Sequence, residues 1–155
     1  VRSIAVCVAA VVFAGCGEVR TPPPAPVTAP QWRSNAAVIV QQLQAEIAAT
    51  QIAGGTPAAA RVALRSESSL YGLLVSYSDF AGCREMVAGA GLVPRSAESA
   101  ARTLIAACGH LEQASALFTA AVKTNDGEQL LAAGRDAGRA LPLLVDATLQ
   151  LKRGT

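Results

Sequence analysis

One histidine, one tryptophan and one methionine occur in 155 residues, and aromatic residues make up 4% of the chain. The lone histidine, His110, has no second donor at helical spacing, so the sequence spells out no haem or metal site. Glu46, Glu67, Asp79, Glu85, Glu112, Asp136 and Asp146 are dispersed, and none forms the Glu-x-x-His pair of bundle di-iron centres. No Gly-rich loop follows a strand, and no Gly-x-Ser-x-Gly elbow occurs. The serines of Ser66-Glu67-Ser68-Ser69 fall within a helical pattern without a nearby base. These absences predict a protein that is not an enzyme and holds neither a cofactor nor a metal. Charge is also sparse, at 15% of residues, with 13 bases against 11 acids. No basic block or aromatic-rich stripe suggests a nucleic-acid partner. The apolar run Ile4–Phe13 holds ten residues, where a membrane-spanning helix needs about 20.

That run is nevertheless the most specific signal in the chain. It follows one basic residue, Arg2, and closes on Phe13-Ala14-Gly15-Cys16. A short apolar core ending in small residues has the shape of an export signal, and a cysteine directly after them offers a thiol for a diacylglycerol. The first sixteen residues therefore resemble the leader and lipobox of bacterial lipoproteins. Phe13 stands where that pattern usually has Leu, Val or Ile. The resemblance implies that residues 1–15 are a signal peptide and that Cys16 becomes the acylated, palmitate-bearing first residue of the mature protein. Ordinary cleavage without lipidation is the competing expectation. Residues 16–30 then form a tether, because Thr21-Pro22-Pro23-Pro24-Ala25-Pro26-Val27-Thr28-Ala29-Pro30 favours extended polyproline II over helix or central strand.

With export, the four cysteines sort themselves. Cys7 leaves with the leader and Cys16 carries lipid, so Cys83 and Cys108 remain as a pair in an oxidising compartment. A disulfide closing that loop stabilises the fold by roughly 3 kcal/mol in the chain-entropy model. Two unpaired thiols packed as small hydrophobes are the alternative. Loss of Arg2 leaves twelve bases against eleven acids, a nearly neutral domain.

Residues 31–155 show helical rather than alternating periodicity. The spacing predicts an all-α, antiparallel up-down four-helix bundle, with the disulfide between helices 2 and 3. The first helix spans Gln31 to Ala53, with Trp32, Ala36, Ile39, Val40, Leu43 and Ile47 along its inner face; Gly54-Gly55 ends it. Thr56-Pro57 starts a second, continuous to Val87, whose inner face includes Ala59, Val62, Leu73, Leu74, Tyr77 and Phe80. Ser96 caps a third, with Leu104, Cys108, Leu111, Phe118 and Val122 along its core stripe. Asp126 and Gln129 resemble a capping box for the fourth, which buries Leu130, Ala137, Leu141 and Leu144 and is kinked, not broken, at Pro142.

Candidate contact residues are few. His110 falls well round its helix from the main core stripe, beside Ala107, Ala114 and Ala121. With Tyr71 and Tyr77 it is the residue set available to an apolar ligand or haem. Arg61 with Arg65, and Arg135 with Arg139, are like-charge pairs four apart that could meet anionic headgroups or an acidic partner. The function expected is a lipid-anchored, extracytoplasmic, non-enzymatic binding or structural module of the cell membrane or outer envelope, facing an envelope protein partner. A carrier of a lipid, an apolar molecule or haem is the alternative.

Overall fold

The computed structural model describes residues 26–153. Cys7, Cys16, the leader and most of the proposed tether lie outside the described residues. Among those described there are α-helices and one short 3-10 turn, and no strand.

α1 spans Ala29–Ala49 and starts two residues before its expected position. Thr28 is the reason: its hydroxyl accepts from Gln31 N, while Gln31 Oε1 accepts from Thr28 N at 3.1 Å, a reciprocal cap. Pro30, counted with the tether on composition, sits in the first turn, where a missing amide hydrogen costs nothing. Val27 is already half-buried against the core. The helical body thus begins before residue 30, inside the stretch expected as tether. At its other end α1 stops at Ala49, four residues short of the expected Ala53, and the Thr50 hydroxyl donates back to the Ile47 carbonyl at 2.8 Å.

The segment expected as one second helix is three: α2 (Pro57–Arg65), α3 (Glu67–Ala81) and α4 (Cys83–Gly89). Ser66 is extended, with ψ 117°, and Gly82 interrupts again. The break at Ser66 resets the helical phase. α2 therefore buries Ala60 and Leu64, while Val62 and Leu74, assigned inward on a continuous count, are exposed. Beyond the turn at Arg95–Ala97, α5 covers Glu98–Thr124. Ser96 does not cap it; its hydroxyl accepts from Arg33 Nη2 at 3.1 Å and ties the turn to α1. Asn125, in the left-handed region at φ 51°, ends α5.

α6 (Gly127–Arg139) and α7 (Leu141–Arg153) replace the single kinked fourth helix. Pro142 cannot donate to the Gly138 carbonyl and its ring crowds that oxygen, so the helix is interrupted at Ala140, not merely bent. Asp126 caps α6 through Glu128 N at 2.8 Å and Gln129 N at 3.4 Å. The return half of the expected capping box is missing, since Gln129 Oε1 has no partner.

α5 is the central post. It packs against α3, α4, α6 and α7, and α1 closes the assembly against α3 and α7. Its expected stripe of Leu104, Cys108, Leu111 and Phe118 is buried, and Tyr77 stacks flat on Phe118 at 4.3 Å between centroids. A second face of α5 is buried as well: Ala100, Ala107, Ala114 and Ala121 recur every seven residues and are 0–3% exposed. Val122 and Leu141, expected inside, are both 38% exposed.

α2 meets α6 at Gly127, where a Cβ would overlap the Pro57 carbonyl. Gly127→Ala is therefore expected to destabilise by about 1–3 kcal/mol through that overlap. Gly72 in α3 has nothing within 4 Å of its would-be Cβ, so Gly72→Ala should stabilise by up to about 1 kcal/mol. Urea unfolding midpoints of the two variants should move in opposite directions.

Candidate functional site

Cys83, the first residue of α4, and Cys108, midway along α5, are both fully buried at disulfide distance, with Cα atoms 5.4 Å apart. The pair joins α4 to α5 rather than two long rods. Arg84 Nε donates to Glu112 Oε1 at 2.7 Å beside it, a second link between the same helices.

His110 is not the isolated side chain that its spacing suggested. Its Nδ1 lies 3.7 Å from Asp136 Oδ1 of α6, and Arg139 Nη1 donates to that oxygen at 2.8 Å. Asp136 is 2% exposed and its Oδ2 has no partner. A buried carboxylate next to one firm cationic donor is held largely by that donor. The contact shows which side of α5 faces α6: the alanine side that carries His110. Tyr71 and Tyr77 do not join this cluster into one site. Tyr71 is 71% exposed, whereas Tyr77 is 1% exposed among core rings, where burial pushes its hydroxyl up to about 12.

The arginine pairs also divide. Arg139 is engaged by Asp136. Arg65 donates from Nε and Nη2 to the amide oxygen of Asn125, at 3.2 and 2.8 Å, and so braces the α5–α6 turn. The Arg61 stem runs beside Gly127. Arg135 is exposed and has no hydrogen-bond or ion-pair partner among the described residues.

Two further groupings were not visible in the linear sequence. Gln42 Nε2 donates both to Glu46 Oε1 at 2.9 Å and to Asp79 Oδ2 at 3.0 Å, bringing two carboxyls together between α1 and α3. Burial first, and then the facing Asp79 carboxyl, push the Glu46 carboxyl up to about 7, against the opposing effect of Gln42. The other grouping is a groove of about 600 Å³ between the end of α1, the following loop and α6. Ile47, Ile52, Leu130 and Leu131 give it apolar walls, Gly134 and Gly138 leave α6 bare, and Arg135 is its one ionisable residue. A smaller hollow of about 440 Å³ lies between the α1–α2 loop, α2 and α3. No group of three or more His, Cys, Asp or Glu among the described residues could hold a metal ion.

The Glu46 shift has a definite sign. Its folded value of about 7 exceeds the ordinary 4.5, so between those values the folded chain binds more protons than the unfolded one. Stability from this group is present at acid pH and is lost as pH rises through about 7. The thermal midpoint should fall between pH 5 and 8, and Glu46→Gln should flatten that fall. An unchanged slope in the variant would place the titration elsewhere.

No known protein family matches the chain, and no significant similarity to a curated protein or a solved structure is found.

Proposed function

We propose that the chain is an exported lipoprotein whose helical body acts as a non-enzymatic binding module of the cell envelope, anchored to a membrane through acylated Cys16. The observation that carries this reading is the small-residue site Ala14-Gly15-Cys16 closing the uncharged run from Ile4. The Cys83–Cys108 pair at bonding distance supports it, because disulfides persist outside the reducing cytosol. The proline-rich stretch before Thr28 suits a spacer between an acyl anchor and the body. Among the described residues no helix is long and apolar enough to cross a membrane. The reading puts the attachment at Cys16.

Binding is favoured over chemistry by the make-up of the groove. Its lining offers a single ionisable group, Arg135, with no carboxylate, thiol or imidazole to act as a base or nucleophile beside it. We take the body as a bundle of four rods, with the second interrupted at Ser66 and Gly82 and the fourth at Ala140. Between the two roles expected from sequence, the groove favours a small-molecule ligand over a flat protein contact.

Metabolic labelling with palmitate and intact-mass analysis of the membrane fraction test the anchor. The mature chain should lack residues 1–15 and carry label, and Cys16→Ser should lose both the label and membrane retention. A full-length, unlabelled chain in the soluble cell interior would overturn the proposal.

A further inference from the structure

We infer that the groove between α1 and α6 binds a long-chain fatty acid, with the acyl chain along its apolar walls and the carboxylate on Arg135. This rests on the body being a binding module, and it does not depend on export or on acylation of Cys16. The groove's volume, about 600 Å³, falls in the range of small-molecule sites, roughly 300–1,000 Å³. Two of its polar wall residues, Thr50 and Gln51, spend a side-chain donor on the α1 backbone, which leaves Gln44 beside Arg135 as a further polar group at the wall. The Thr50 hydroxyl donates to the Ile47 carbonyl at 2.8 Å, and Gln51 Nε2 donates to the same oxygen at 3.3 Å. The apolar surface open to a ligand is therefore mainly that of half-buried Ile52 and Leu131 and of exposed Leu141, over a base of buried Ile47 and Leu130.

Two observations argue that the space is kept open. Gly134 and Gly138 lie one turn apart in regular helix, where glycine costs about 1 kcal/mol relative to alanine. Packing does not demand either of them. A Cβ on Gly138 would meet nothing within 4 Å, and one on Gly134 would only reach the Thr50 carbonyl at 3.9 Å. Neither has a positive φ. Their effect is to leave the floor of the groove without side chains.

Charge selects the head group. Arg135 has no acidic neighbour in the groove, and the one carboxylate close to it in sequence, Asp136, is buried and engaged by Arg139. One planar guanidinium matches one carboxylate through two parallel hydrogen bonds. One groove with one cation suits a single chain with a single anionic group better than a two-chain lipid. Leu141 at the mouth is followed at four-residue intervals by exposed Val145 and Leu149, an apolar strip along which a longer chain can continue.

The test uses the full-length protein in phosphatidylcholine nanodiscs and a diazirine-bearing palmitic acid, with cross-linked peptides mapped by mass spectrometry. Saturable labelling should map to the end of α1 and to α6, and palmitate should compete it away while methyl palmitate should not. Arg135→Gln should raise the half-saturating concentration about tenfold, as expected for loss of a charge-assisted pair. Gly138→Leu should block labelling, and Gly72→Leu, outside the groove, should leave it intact. If Gly138→Leu loses its helical circular dichroism, Arg135→Gln decides alone. Non-saturable or scattered labelling, an unchanged response in Arg135→Gln, or equal competition by methyl palmitate or lysophosphatidylcholine would overturn the inference. So would protection of the groove by a co-purifying protein. A failure here with Cys16 still acylated would remove the ligand and leave the anchored-module reading standing.

Discussion

The close approach of α6 and α7 to the alanine face of α5 is the contact on which the other features depend. Ala100, Ala107, Ala114 and Ala121 are spaced by sevens and buried, and Ala133, Ala137 and Ala147 supply similarly small buried side chains on α6 and α7. A seven-residue repeat keeps one seam facing a partner helix along its length. Small residues on both sides let the backbones come near, so many weak dispersion contacts replace a few large side chains. With only six aromatic residues in the chain, much of the packing has to be made this way. The larger side chains Tyr77, Phe80 and Phe118 pack on the adjoining side of α5 toward α3, where Tyr77 stacks on Phe118.

The breaks in the second and fourth segments follow from the same arrangement. A straight helix from Pro57 to Val87 could not lay Ala60 and Leu64 near α6 and also lay Tyr77 and Phe80 on α5. Ser66 turns the chain between those two tasks, and Gly82 turns it again so that Cys83 reaches Cys108. Pro142 separates α6, which runs beside α2, from α7, which runs beside α1. The groove is what this geometry leaves over. α1 stops at Ala49, α6 carries glycines on the facing side, and the gap between them is not filled.

Much of the fold was legible in the sequence where one strong stripe met clear punctuation. Of the first-helix stripe, Trp32, Ala36, Val40, Leu43 and Ile47 are buried and Ile39 is half-buried, Gly54-Gly55 supplies positive φ after it, and Thr56 caps the next helix. Reading failed where weak local signals decided the phase. Ser66 breaks a helix without proline or glycine, so a continuous count across it puts Val62 and Leu74 inside when both are exposed. His110 lies far from the leucine stripe of α5, and only that stripe stands out by hydropathy. The alanine repeat at 100, 107, 114 and 121 was the available sign of a second buried face, and it would have placed His110 against α6. The Asp136 and Glu46 contacts join residues that are distant in sequence and depend on rotation about helix axes, which spacing alone does not fix. Of the groove's lining, the sequence marks Ile47, Leu130 and Leu141 as core positions and Arg135 as half of a like-charge pair, and nothing in their spacing joins them into one site.

The most direct measurement is the urea unfolding free energy of Ala114→Leu compared with that of Ala116→Leu, an exposed position on the same helix. If close alanine packing holds α6 and α7 on α5, the first variant should lose about 1–3 kcal/mol through overpacking, and the second should stay within about 0.5 kcal/mol of the parent. Equal midpoints for the two variants would contradict the account.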